Sequence, residues 1–94
     1  MSLNGIPNFV DKGAIRIVPL GGDMAVHFYA DGTATFAHRC DRGDRGVILC
    51  SPLLQLHNGG HRIVTADPLT VSPSILCGDC GTHGFVTDGV WMGC

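Results

Sequence analysis

A short cysteine motif places the strongest constraint on how this chain folds. Residues 77–81 have the sequence Cys-Gly-Asp-Cys-Gly. Two thiolates at this spacing in a tight turn point into the same small space, so they can bind one metal ion. Gly81 can adopt the backbone angles that a side chain would resist at that position. A hairpin signal follows, because Asp88-Gly89 separates two short apolar runs. The pattern predicts one half of a zinc ribbon.

The composition favours strands and loops over helices. All eight acidic residues are Asp, Lys12 is the only lysine, and the chain contains 14 Gly and five Pro. Glu, Lys and Gln are strong helix formers, so their scarcity removes the residues that build exposed helix faces. A chain of 94 residues forms one domain with a modest core, to which a metal ion would add much stability. We expect a small single-domain all-β fold of hairpins with a zinc-ribbon-like knuckle and little or no helix.

Alternating apolar residues predict a series of short strands. The clearest hairpin joins residues 24–30 to residues 33–38 through Asp31-Gly32, a dipeptide that favours a type I′ turn. Alternation places Phe36 and His38 on one face of the second strand. Further strands are predicted at residues 14–18, 47–50, 62–66, 69–71, 84–87 and 90–92.

The chain divides into a predicted arm and a predicted domain. Residues 1–13 show no clear period and are expected to form an extended arm that contacts another chain. Residues 14–94 are expected to form a single zinc-stabilised β domain.

Five residues are candidate metal ligands. A structural zinc site draws four ligands from Cys and His, and Cys77 and Cys80 supply two. His38 and Cys40 are two residues apart, so on one strand they project to the same face. His83, three residues after Cys80, can replace one of them, and the sequence leaves the fourth ligand open. We expect one structural Zn²⁺ held by four of these five residues.

The other thiols carry less information. Cys50 lies in an apolar run and is interpreted as a buried small hydrophobic residue, and Cys94 has no assigned role. No basic patch followed by an apolar stretch opens the chain, so no secretory signal peptide is visible. In a reducing compartment, paired thiols indicate a metal site more than a disulfide. A thioredoxin-like redox pair would need a βαβ context, and no helical pattern follows the motif.

Charge and residue type exclude several functions. The formal net charge is −2, and Arg39, Arg42 and Arg45 are interleaved with Asp41 and Asp44. Few phosphates can be neutralised by such a segment, so nucleic-acid binding is expected to be weak or absent. No apolar run is long enough to span a membrane. Zinc deaminases and helical metalloproteases use a Glu, which this chain lacks, so we expect no enzymatic activity.

Three motifs lie close together in the C-terminal third: Pro-Ser-Ile at 73–75, Cys-Gly-Thr-His-Gly-Phe at 80–85 and Asp-Gly-Val-Trp at 88–91. Together they resemble a family of small phage and prophage proteins grouped as a domain of unknown function. Residues 77–84 are most similar to the versions found in phages of actinobacteria. The resemblance implies a metal-bound fold and implies no activity.

The resemblance bears on the ligands in two ways. The family carries a Cys-rich knuckle near the position of residues 38–43, where this chain has one Cys, so His38 would replace a thiolate. The family's C-x-x-H pairing would make His83 a ligand, in competition with Cys77 or His38.

These observations give the functional expectation. We expect a non-enzymatic zinc-binding structural or interaction protein of a phage, for example a capsid or tail accessory or decoration protein. Its partners would be copies of itself or other virion subunits, and it would reside in the virion or the host cytoplasm. The alternative is a zinc-ribbon regulator that binds nucleic acid or the host transcription machinery.

Overall fold

Within the described residues, eight antiparallel strands form two sheets. The computed structural model describes residues 13–22, 24–41, 47–78 and 80–94. Sheet 1 has the strand order β1-β2-β3-β4 and sheet 2 the order β5-β6-β7-β8. The strands are β1 (Ala14–Gly21), β2 (Met24–Tyr29), β3 (Ala34–Asp41), β4 (Val47–Cys50), β5 (Arg62–Ala66), β6 (Leu69–Leu76), β7 (His83–Thr87) and β8 (Val90–Gly93). The described ranges contain no helix, and the expected all-β fold is confirmed.

The β2–β3 hairpin has the predicted pairing but a different turn. Gly32 has a φ of 88°, while Asp31 is not among the described residues with a positive φ. The Gly32 amide donates to the Tyr29 carbonyl (3.1 Å), and the Tyr29 amide donates to the Thr33 carbonyl (2.9 Å). This is a three-residue loop with glycine in the left-handed region. The predicted type I′ turn is therefore wrong here.

The β7–β8 hairpin closes with a two-residue turn. Asp88 and Gly89 both have positive φ, 52° and 78°, which is the geometry of a type I′ turn. The Gly89 amide donates to the Leu69 carbonyl (2.8 Å), and the Asp88 amide donates to the Thr70 hydroxyl (3.0 Å). These bonds hold the tip of the hairpin against β6.

Two strands are longer than the sequence pattern predicts. β1 continues through Pro19 to Gly21, and β6 continues from Leu69 to Leu76. The pairing of β6 with β7 shifts register between Val71 and Ile75, and this irregularity accommodates Pro73 within the strand. Of the predicted arm, residues 1–12 lie outside the described residues.

The core lies between the inward faces of the two sheets. Val26 and Phe36 pair directly across β2 and β3. The buried core side chains are Leu20, Val26, Ala34, Phe36, Leu54, Leu69, Val71, Ile75 and Val86. The Phe36 ring stacks on Trp91 of β8 (4.7 Å between centroids) and on His38 of β3 (4.5 Å). Aromatic contacts thus join sheet 1 to sheet 2.

Gly84 allows this aromatic contact. It pairs with Gly93, and a Cβ added at Gly84 would lie 2.6 Å from Trp91 Cζ2 and 2.5 Å from the Met92 carbonyl oxygen. A Cβ added at Gly93 would lie 3.6 Å from Trp91 Nε1, an ordinary contact distance. The indole therefore packs over a position where only glycine fits.

We expect Gly84→Ala to lower the free energy of unfolding by about 1–3 kcal/mol, because the new methyl group displaces Trp91 from the core. Gly93→Ala, at the directly paired position, should change it by no more than about 0.5 kcal/mol. Urea unfolding under reducing conditions, followed by the fluorescence of the single tryptophan, measures both. Equal effects of the two substitutions would contradict this account.

Candidate metal centre

A tight turn between β6 and β7 presents the first two candidate ligands. The Gly81 amide donates to the Cys77 carbonyl (2.8 Å), and the Cys77 amide donates to the Thr82 carbonyl (2.8 Å). Gly81 has a φ of 77°, as the motif predicts. These two bonds close the chain around the knuckle, and Cys77 and Cys80 pack together.

A cross-strand pair in sheet 1 presents two more. His38 of β3 lies directly opposite Cys50 of β4. Opposite residues of an antiparallel pair have Cβ atoms about 4.5–5.5 Å apart, on the same face of the sheet. Both side chains are buried, with exposures of 0% for His38 and 5% for Cys50.

The two pairs meet between the sheets. The ligand atoms of His38, Cys50, Cys77 and Cys80, hereafter the His-Cys cluster, all lie within 4.8 Å of one another. His38 Nε2 is 3.3 Å from Cys80 Sγ. A tetrahedral zinc ion with ordinary bond lengths would hold a nitrogen and a sulfur ligand about 3.6 Å apart. Small shifts of the side chains would therefore suffice to bind an ion at the centre.

Hydrogen bonding orients the His38 ring as a ligand. His38 Nδ1 lies 3.2 Å from the Phe36 carbonyl oxygen, which can only accept, so Nδ1 carries the proton. In the neutral ring, the lone pair of Nε2 then lies on the side of the Cys80 sulfur, 3.3 Å away. Burial lowers the pKa of His38, and the bond to the Phe36 carbonyl opposes this in part. The net lowering favours the neutral form that binds metals.

Thr82 contacts the least buried ligand. Its Oγ1 lies 3.1 Å from Cys80 Sγ, within hydrogen-bond distance. When Cys80 is a thiolate the hydroxyl donates this bond, since the sulfur then has no proton to give. Such a bond stabilises the negative charge on the sulfur and fixes its direction.

The predicted ligands do not all meet. His38, Cys77 and Cys80 belong to the His-Cys cluster. His83 is exposed, and its Nε2 lies 2.9 Å from the Ser74 hydroxyl, away from the cluster. Cys40 belongs to β3, opposite Ile48, and its side chain lies outside the described residues.

Sequence reasoning missed Cys50 as a candidate ligand. Its burial agrees with the interpretation as a core residue, but its sulfur is part of the cluster. The signal was available in the β3–β4 hairpin. Asp41 pairs with Val47, and each further pair lies one residue farther from the loop on both strands, so His38 falls opposite Cys50. Only a strand register, and no local motif, contains this information.

The bonding state of Cys50 differs from that of the other described cysteines. It is disulfide-bonded, whereas Cys77, Cys80 and Cys94 are not. This departs from the expectation that the thiols are reduced. Since the thiolate is the form that binds metals, the His-Cys cluster offers four ligands when Cys50 is reduced.

No helix within the described ranges is long and apolar enough to cross a membrane. Comparison of the chain with protein-family models, with curated proteins and with solved structures gives no match. The resemblance to the phage family stays a prediction, and the functional argument depends on the geometry of the His-Cys cluster.

Proposed function

We propose that the His-Cys cluster binds one structural zinc ion that holds sheet 1 against sheet 2. The observation that carries this proposal is the convergence of four ligand atoms within 4.8 Å, two from sheet 1 and two from the turn that joins β6 and β7 of sheet 2. Three sulfurs and one imidazole nitrogen form a donor set typical of structural zinc. Hard cations such as Mg²⁺ and Ca²⁺ prefer oxygen ligands, which this cluster does not supply.

The ligand number supports a structural rather than a catalytic ion. Catalytic zinc keeps a coordination position open for water or substrate, whereas four protein ligands occupy all four positions of a tetrahedral zinc ion. His38, Cys50 and Cys77 are also buried, so solvent reaches the site mainly beside Cys80. We therefore propose that the protein is not an enzyme.

Ligand substitutions test the site. Reduced protein should contain one zinc per chain by elemental analysis, and Cys77→Ala or Cys50→Ala should remove it and lose the folded state. The reason is that structural zinc contributes about 10–16 kcal/mol of apparent binding free energy, as much as the whole stability of a typical domain.

His83→Ala and Cys94→Ala are the matched controls, since the exposed His83 and Cys94 lie outside the His-Cys cluster. Both variants should keep the zinc. Loss of zinc in His83→Ala would instead support the C-x-x-H ligand set implied by the phage resemblance. Reduced, folded protein without metal would end the proposal.

Thr82 is expected to tune affinity without being a ligand. Three thiolates around Zn²⁺ leave a net charge of −1 in a largely buried site, and the Thr82 hydroxyl offsets part of it at Cys80. Thr82→Val should weaken zinc binding about 10–100-fold in competition with a chromogenic chelator. Thr87→Val, on the exposed face of β7, should have no such effect.

We further propose that the protein acts through contacts with other copies of itself, as a phage virion accessory protein would. Leu76, Phe85, Val90 and Met92, hereafter the outer apolar face, are 44–60% exposed on the solvent side of sheet 2. Phe85 pairs with Met92, and neighbouring residues Thr87 and Val90 pair on the same side. Exposed apolar groups gathered on one face are a usual feature of protein interfaces.

The charge of this face favours an identical partner. The positions of β7 and β8 on this side, together with Leu76 at the end of β6, are Leu76, His83, Phe85, Thr87, Val90 and Met92, and they include no Asp, Lys or Arg. In a two-fold symmetric contact each patch meets its own copy, so like charges would repel, and here there are none among these positions. We therefore propose a dimer through sheet 2.

Sedimentation analysis of the reduced, zinc-loaded protein should show a dimer that Met92→Asp converts to a monomer, because two carboxylates would be brought together. Ile15→Asp, at a 70% exposed apolar position on sheet 1, is the control and should leave the dimer intact. A wild-type monomer at all accessible concentrations would contradict the proposed contact.

A further inference from the structure

The four members of the His-Cys cluster differ in how far solvent reaches them. His38, Cys50 and Cys77 are buried, with exposures of 0%, 5% and 1%, whereas Cys80 is half-buried. A molecule that approaches the cluster from solvent therefore meets the sulfur of Cys80 first.

The backbone of the knuckle leaves this approach uncovered. Gly78 and Gly81 are both exposed, and a Cβ built at either position would have no other described atom within 4 Å beyond its chain neighbours. The turn requires glycine at position 81, where φ is 77°. Gly78 is not one of the described glycines with a positive φ, so its backbone would accept a side chain. The missing side chain at position 78 keeps the turn that carries Cys80 open.

Thr82 contacts Cys80 from within the same turn. Its Oγ1 lies 3.1 Å from Cys80 Sγ, and its carbonyl accepts the Cys77 amide. This contact to Cys80 does not involve an ion, so it can persist when the sulfur leaves one. A hydroxyl that donates to a departing thiolate stabilises its charge. Of the four ligands, Cys80 is therefore the one that exchanges at the lowest cost.

We propose that zinc enters and leaves the His-Cys cluster past Cys80, by exchange with a cysteine thiol of another molecule. This inference rests on the proposed function, because it concerns the ion bound there. The partner class is a peptide or small molecule with soft sulfur ligands, the kind that zinc already has in this cluster. A thiol is also neutral until it binds, whereas a polyanionic chelator is repelled by three thiolates around Zn²⁺.

The exchange replaces one sulfur ligand by another without any change of oxidation state. The incoming thiol loses its proton to solvent as its sulfur binds the ion. The bond between the ion and Cys80 breaks, and the Cys80 thiolate takes up one proton from solvent. Further thiols of the acceptor displace the buried ligands in the same way. Zinc then leaves with the acceptor, and the thiols of the cluster stay reduced.

The test measures zinc transfer from reduced, full-length, zinc-loaded protein to a metal-free zinc-finger peptide whose ligands are all cysteines. Native mass spectrometry after mixing reports the zinc bound to each species. We expect the initial rate to rise in proportion to the peptide concentration, because a thiol of the peptide takes part in the step. An aminocarboxylate chelator at the same concentration should remove zinc about tenfold more slowly, since its ligands are hard oxygens and its charge is negative.

Gly78→Leu covers the approach and is the decisive variant. As with a lid, the added side chain should slow zinc transfer to the peptide about tenfold, because it obstructs entry and exit alike. The equilibrium affinity for zinc should change by no more than about twofold, since both directions are slowed equally and the exposed position makes no other contact. Thr87→Leu, which adds a similar side chain on the exposed face of β7, is the control and should transfer zinc as the wild type does.

The outcomes separate the two proposals. Reduced protein that binds no zinc overturns both. A transfer rate that does not depend on the peptide concentration shows that the ion leaves unaided, which overturns the exchange proposal and leaves the zinc site standing. Equal rates in Gly78→Leu and Thr87→Leu overturn it too, as does equally fast removal by the aminocarboxylate. A Gly78→Leu protein whose affinity falls as far as its rate would show a structural effect and also overturn it.

Discussion

The contact of Phe36 with its two aromatic neighbours connects the core to the His-Cys cluster. Its ring stacks on Trp91 from sheet 2 and on His38 from sheet 1. Its backbone carbonyl lies at hydrogen-bond distance from His38 Nδ1 and so sets which nitrogen of that ring can bind a metal. One residue therefore holds the sheets together and also orients a ligand. A substitution that displaces Trp91 would alter the position of His38 in the His-Cys cluster through this stack, although it contacts none of the candidate ligands.

Local signals made most of the fold predictable. The hairpins follow from alternating apolar residues around Asp-Gly, and the all-β class follows from the scarcity of helix-forming residues. Turn geometry was less predictable, because Asp31-Gly32 and Asp88-Gly89 are the same dipeptide in different turns. β2 and β3 pair up to Phe28 and Ala34, which leaves a longer loop, whereas β7 and β8 pair as far as Thr87 and Val90. Strand pairing beyond the turn decides between them.

Some residues of the candidate site could likewise be predicted from local motifs, and others depend on long-range strand pairing. The knuckle is local, so its motif predicted Cys77 and Cys80. Cys50 enters only through its pairing with His38 across a hairpin. His83 has the spacing of a ligand, but the alternation of β7 turns it outward: Gly84 and Val86 are buried, and His83 and Phe85 are exposed. Motif spacing gives only the separation of residues along the chain. Strand alternation determines on which side of the sheet each side chain lies.

The position of the His-Cys cluster in the chain determines what an ion bound there would stabilise. His38 and Cys80 are 42 residues apart, while His38 and Cys50 are already close within one hairpin. Holding together the ends of the longer segment restricts the unfolded chain by about 1 kcal/mol more than closing the hairpin would. The unfolded chain has no such site, so binding free energy adds to the stability of the folded form. Its effect falls on the junction between the sheets, because each hairpin already has its own backbone hydrogen bonds.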